Sequence, residues 1–254
     1  MNDAQQRSFT ARPFYLTTAY PCQYLPGKIA RSQVALPHEL IHTQGYPLLI
    51  QQGFRRSGLT VYRPYCAECQ ACISVRIPTH DMQYNRSQRR ILKKHRNLHS
   101  CLLPLQYSPA HFELYQRYQT ARHSNDEVEQ TSTAQYRAFI LKSHINSFLV
   151  EFRDEHHLRM VSLIDQLEDG LSAVYTFFDP DVPSASYGVY SILWLVQYAK
   201  ERDLPYLYLG YWIADCPKMA YKKHYQPLEG YIKGQWQRLT EPVVATSCAS
   251  NEYE

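Results

Sequence analysis

Cys66, Cys69 and Cys72 recur at a two-residue spacing between two strand-like runs, Leu59 to Tyr62 and Ile73 to Ile77. Pro64 and the flanking runs make the segment between them a fixed turn rather than a mobile loop. Arg55, Arg56 and Arg63 precede the thiols and Arg76 follows them. A thiolate persists near neutral pH only beside positive charge, a metal or a helix terminus. The stretch from Phe54 to Arg76 therefore reads as a site. Its cysteines match half of an iron–sulfur ligand set, or three ligands of a zinc site that takes its fourth from elsewhere. Cys22, between Pro21 and Pro26, is the candidate fourth ligand. Four reduced thiols without metal are the competing reading.

Seven cysteines cannot all pair with one another, which favours metal or catalytic use over a disulfide framework. No apolar segment follows the start Met1-Asn2-Asp3-Ala4-Gln5-Gln6-Arg7, and no later run approaches the length of a membrane span. A soluble, cytoplasmic protein is the expectation. The charge is divided along the chain: residues 1–112 carry 14 Lys and Arg against 4 Asp and Glu, a balance of +10, whereas residues 113–254 stand at −6. A basic half on a nearly balanced chain points to a polyanionic partner.

Proline and glycine interrupt residues 10–50, so long regular elements are not expected there. Between Met82 and Phe112 no acidic residue occurs, yet Arg86, Arg89, Arg90, Lys93, Lys94 and Arg96 fall close together. At helical spacing Arg86, Arg89 or Arg90, Lys93 and Arg96 share a face, which suits phosphate contact; a merely solvated helix face is the bland alternative. Ser108-Pro109 opens a helix to about residue 122. A polar, acidic loop over 124–134 and a short helix over 136–141 follow.

Phe148 to Arg153, Leu158 to Asp165 and Leu171 to Phe178 then read as a three-stranded antiparallel meander. A loop from Ser184 to Ser191 leads into a buried helix, Ile192 to Lys200, and a core strand over Tyr206 to Leu209 is stopped by Gly210. That order resembles the N-acetyltransferase-like (GNAT) fold, whose loop before the central helix offers backbone N–H groups to a donor pyrophosphate. Gly188 alone stands where a glycine-rich loop is usual, which points away from coenzyme A as donor. Beyond Gly210, aromatic rings alternate with Lys218, Lys222 and Lys223, a pattern that suits stacking on a terminal base and pairing with phosphates.

Three motifs in order, Phe54-Arg55-Arg56-Ser57-Gly58, Tyr62-Arg63-Pro64 through the cysteines to Arg76, and Tyr208-x-Gly210-Tyr211-Trp212-Ile213-x-x-Cys216-x-Lys218-Met219-x-Tyr221-Lys222, resemble the arginyl-tRNA–protein transferase family, in its bacterial aspartate/glutamate leucyltransferase branch. The resemblance implies an aminoacyltransferase of the N-degron pathway. Such an enzyme moves leucine from leucyl-tRNA to the α-amine of proteins that begin with Asp or Glu, marking them for degradation. It also implies an α+β architecture: an N-terminal cysteine-bearing basic region over 1–105 and a GNAT-like transferase domain over 106–240; the polar stretch over 241–254 reads as a disordered tail. An iron–sulfur cluster or zinc on Cys22, Cys66, Cys69 and Cys72 is a further expectation, although the chemistry itself requires no cofactor.

An aminoacyl ester is already activated, and an α-amine with a pKa near ~8 is in substantial part neutral at physiological pH, so positioning and oxyanion donors do most of the work. Gripping an acceptor carboxylate takes a fixed guanidinium. Arg55, Arg56 and Arg76 are the candidates. Lys218, Tyr221 and Lys222 are expected at the tRNA acceptor end, with Arg86, Arg89, Arg90 and Lys93 on more distant phosphates. Asp215 is the candidate proton acceptor. Transfer from arginyl-tRNA, an acetyl-CoA-dependent acetyltransferase and a non-catalytic RNA-binding module are the rival readings.

Overall fold

Strand-forming runs occur throughout the chain, and the computed structural model, which describes residues 14–36, 45–122 and 132–239, assembles them into three sheets. The N-terminal strands are β1 (Phe14–Leu16), β2 (Tyr20–Pro21), β3 (Ile29–Ala30), β4 (Ser32–Ala35), β5 (Arg55–Ser57), β6 (Thr60–Pro64), β7 (Ile73–Pro78) and β8 (His99–Leu103). After them come β9 (Ser147–Asp154), β10 (His157–Gln166), β11 (Gly170–Phe178), β12 (Tyr206–Trp212), β13 (Glu229–Ile232) and β14 (Gln235–Arg238). The helices are α1 (Tyr46–Gln51), α2 (Arg86–Lys94), α3 (Pro109–Arg122), α4 (Thr133–Tyr136), which runs on into a π-helical turn Arg137–Leu141, and α5 (Tyr187–Lys200). The part of the expected acidic loop up to residue 131 and the expected tail over 241–254 lie outside the described residues.

The eight-stranded sheet has the order β14-β13-β7-β12-β11-β10-β9-β8, and β1-β4-β6-β5 form a smaller sheet beside it. Successive side chains on a strand point to opposite faces, so a strand buried on both sides reads as a nearly continuous apolar run. Strands β9 to β11 are such runs. Val150, Phe152, Met160, Ile164 and Leu171 pack with Leu193, Leu195 and Val196 of α5, whereas Leu149, Val161, Leu163 and Phe177 pack with Leu114, Tyr115 and Tyr118 of α3. A third core, of Tyr46, Leu49, Ile50, Phe54 and Val61 with Tyr208 of β12, fixes the small sheet to the large one. The fold is α+β.

Three expectations need correction. A boundary near residue 105 falls inside the large sheet, because β7 hydrogen-bonds between β12 and β13 and β8 pairs with β9. Residues 187–191 are helical rather than loop: Pro183–Ala185 form a 3-10 turn, Ser186 takes φ 59, and α5 starts at Tyr187. Gly210 does not stop its strand. It adopts φ +70 and the register to β7 shifts between Tyr208 and Gly210, so β12 bends and continues to Trp212.

Candidate functional site

Strands β11 and β12 run parallel but pair only at Gly170, Leu171 and Ser172 with Tyr206, Leu207 and Tyr208. Beyond those residues they part, and the bend at Gly210 lies in the part of β12 that β11 no longer covers. Two cations meet that bend. A Cβ on Gly210 would stand 3.2 Å from Nη1 of Arg55, so the bare backbone admits the guanidinium. Lys222, in the 3-10 turn Ala220–His224, donates from Nζ to the carbonyl oxygens of Leu209 at 2.8 Å and Tyr211 at 2.5 Å. Burial, and next the charge of Arg55, hold the Lys222 ammonium down to about 7.

The three arginines expected to grip an acceptor carboxylate have different fates. Arg56 donates from Nε and Nη2 to both oxygens of Asp165, at 2.7 and 2.5 Å, and from Nη1 to the Gly58 carbonyl. All three of its nitrogens are hydrogen-bonded inside the protein, which speaks against the acceptor role. Arg76 donates to Glu229 at 2.8 Å and to the Tyr208 hydroxyl at 3.2 Å, and its guanidinium carbon lies 3.5 Å from the Tyr206 ring centre and 4.4 Å from that of Trp236. It too is occupied by the fold. Arg55 is different: its neighbours are the rings of Tyr62 and Tyr211, at 6.0 and 5.7 Å, and among the described residues no carboxylate pairs with it.

Cys22, Cys66, Cys69 and Cys72 line one cavity together with Tyr20, Tyr24, Tyr62 and Tyr211, the last two being the rings beside Arg55. The turn expected from the spacing does bring the thiols to one place, and Cys22 arrives through the β2–β3 hairpin. The donors are of the soft kind that zinc and iron–sulfur clusters take. Even so, among the described residues no group of three His, Cys, Asp or Glu converges closely enough to hold a metal ion. Cys72 is a protonated thiol at neutral pH, pushed up to about 12 by burial and then by Cys66 and Cys69, so the nearby guanidinium does not make it a thiolate. No step is therefore derived through a metal.

Helix α2 starts with a capping box in which Asn85 accepts from the Gln88 backbone and Gln88 accepts from the Asn85 backbone. Lys93 and Lys94 occupy its last turn, where the helix dipole favours cations. Gln88 is buried and donates to the His224 carbonyl, Lys94 donates to the Ser184 carbonyl, and His95 bonds the Ala185 carbonyl at 2.6 Å. The helix is thus locked between the entry to α5 and the turn that carries Lys222. Arg86, Arg89, Arg90 and Lys93 are exposed, and among the described residues none makes a salt bridge.

The remaining candidates separate by exposure. Asp215, Lys218 and Tyr221 lie on the surface beyond β12. Lys222 does not: its Nζ is turned onto two backbone carbonyls and burial disfavours its charge, so it makes a poor phosphate contact. In the sequence it is one of several like lysines. The alternation of Tyr221 (exposed), Lys222 (buried) and Lys223 (exposed) comes from the 3-10 turn, which nothing in the run of cations announces.

Two family models match the chain: the C terminus of arginine-tRNA-protein transferase over residues 110–232 and the N terminus of the same over residues 20–90. An aspartate/glutamate leucyltransferase of Nitrosospira multiformis is 53% identical over 236 residues, covering 93% of this chain and 94% of that one. One of Polynucleobacter asymbioticus is 51% identical over 246 residues, covering 94% and 99%. Among solved structures, FemX aligns over 82% of this chain and 81% of that chain with 7% identity and a TM-score of 0.42.

Proposed function

The chain belongs to the arginine-tRNA-protein transferase family, and from that premise we propose that it moves leucine from leucyl-tRNA to the α-amine of cytoplasmic proteins that begin with Asp or Glu. Two relatives about half identical over nearly their full length carry the name aspartate/glutamate leucyltransferase, which favours leucine over arginine as the transferred residue and sets the acetyl-CoA reading aside. The meander β9 to β11, the crossover helix α5 and the parallel strand β12 support a GNAT-like reading of the transferase half.

The observation that carries the acceptor side is Arg55, a guanidinium without a described carboxylate partner at the parting of β11 and β12. A free guanidinium in a partly desolvated place binds a carboxylate with two charge-assisted hydrogen bonds. With the side chain of an N-terminal Asp or Glu held there, the α-amine stays within a few bonds of the same point. On the donor side, α2 presents Arg86, Arg89, Arg90 and Lys93 to phosphates, while Lys218 and Tyr221 receive the acceptor end.

The reaction is the attack of the amine nitrogen on an ester carbonyl, with the terminal ribose oxygen leaving. It runs downhill, and holding the two reactants together supplies much of the acceleration. Aminolysis of an activated ester needs no cofactor.

Incubation with leucyl-tRNA and peptides beginning Asp, Glu, Lys or Ala tests this reading. Leucine is expected on the Asp and Glu peptides alone, and arginyl-tRNA is expected to be a poor donor. Equal labelling of all four peptides would remove the acceptor assignment, and preference for arginyl-tRNA would remove the donor.

A further inference from the structure

We propose that Lys222 carries the proton of the reaction, taking it from the attacking α-amine and passing it to the departing ribose oxygen. The inference rests on the transfer reaction just described and assigns a group to it.

A neutral lysine amine has two N–H bonds and one lone pair. Lys222 uses two donors, toward the carbonyls of Leu209 and Tyr211, and no third acceptor for it is found among the described residues. The neutral form is therefore fully satisfied and keeps its lone pair free, whereas the ammonium would carry one N–H without a partner in a nearly closed site. The charged and titratable groups that face it are Arg55 on β5 and the Cys216 thiol after β12, and neither is a carboxylate that would hold the ammonium form. Burial and the Arg55 guanidinium both favour the neutral amine, whose proton affinity is then matched to physiological pH.

Its position suits the task. The carbonyls that Lys222 caps belong to the stretch of β12 left unpaired where β11 departs, and the bend at Gly210 between them admits the guanidinium of Arg55. An Asp or Glu side chain on Arg55 brings the α-amine to the same opening. As the nitrogen–carbon bond forms, the amine proton moves to Lys222 Nζ. As the carbon–oxygen bond of the ester breaks, that proton goes to the ribose oxygen, which leaves as a hydroxyl, and Lys222 returns to the neutral amine. No proton is gained or lost overall. The sequence alone suits Lys222 to phosphate contact, and its burial is what turns it toward acid–base work.

The test is single-turnover transfer from leucyl-tRNA, followed from about pH 6 to about pH 9, to two Asp-starting peptides whose α-amines differ in pKa. A limb near neutrality that stays in place for both peptides is expected, because it belongs to the enzyme. A profile whose every limb moves with the peptide would overturn the proposal, and this measurement needs no variant. Lys222→Met, checked by its melting curve and by leucyl-tRNA binding, is expected to lose roughly 10²- to 10⁴-fold in rate together with that limb. Lys222→Arg keeps donors for both carbonyls but has no lone pair, and is expected to lose transfer to a similar extent. A folded Met or Arg variant with a wild-type rate would sink the assignment. Absence of any transfer by the wild type would instead overturn the leucyltransferase reading, so the two failures are told apart.

Discussion

Arg56 and Asp165 lock β5 of the small sheet to β10 of the large one: the guanidinium meets both carboxylate oxygens, at 2.7 and 2.5 Å, and the two side chains are 1% and 0% exposed. Ser147 adds a hydrogen bond to the same carboxylate at 2.7 Å. Removing one partner of a buried pair strands the other charge away from water, at a cost of about 3–5 kcal/mol. Arg56→Ala and Asp165→Ala are each expected to lower the stability measured by urea denaturation by that amount. A loss of acceptor binding in a variant that remained as stable as wild type would contradict this structural role.

Arg55 is expected to behave in the opposite way. Arg55→Ala leaves no described carboxylate unpaired, so the fold should hold while the KM for an Asp-starting peptide rises by about 10- to 100-fold, the worth of a charge-assisted hydrogen bond of about 1.5–3 kcal/mol. Leucyl-tRNA affinity should stay within about twofold. Gly210→Ala should mimic this loss, because its Cβ would press on Nη1 of Arg55, and should add strain at φ +70 of about 1–2 kcal/mol. Steady-state kinetics with varied peptide and varied tRNA separate these effects.

Among the described residues the exposed cations of α2 make no salt bridge, and of the four only Arg89 reaches back to the chain, donating to the Tyr84 carbonyl. Alanine at Arg86, Arg89, Arg90 or Lys93 is expected to leave the melting temperature unchanged while weakening tRNA binding for every tRNA sequence alike. Each lost phosphate contact should also flatten the dependence of log affinity on log salt by about 0.7–0.9. Binding titrations at several salt concentrations check both points.

Lys222 also makes stability depend on pH, with a definite sign. In the folded chain its ammonium gives up the proton at about 7, in the unfolded chain only near 10.5. Between those values the unfolded chain holds more protons, so stability rises with pH through that window. Below it both forms are charged and the full penalty of burying the ammonium remains. Urea denaturation at about pH 7 and about pH 9 should show wild type gaining stability relative to Lys222→Met; equal slopes for the two proteins would contradict the neutral-amine assignment.

Most local elements are legible in the sequence because they rest on local causes. Ser108-Pro109 opens α3, apolar runs mark β9 to β11, and the acid-free stretch before Phe112 contains α2. The role of Gly210 is not legible there, because a glycine that ends a strand and one that bends it look alike in sequence, and only pairing with β7 on the far side keeps β12 going.

By itself the chain's sequence determined the α+β element order, the family, and the nearness of Cys66, Cys69 and Cys72, since motif spacing and hydrophobic period act over a few residues, whereas Cys22 joins them only through the β2–β3 hairpin. Which of its cations are free to meet a substrate was decided by tertiary structure alone. Asp165 lies 109 residues from Arg56, Glu229 lies 153 from Arg76, and the carbonyls that hold Lys222 belong to another element. A charge is satisfied by what folding brings within hydrogen-bond reach, and that distance is not written along the chain.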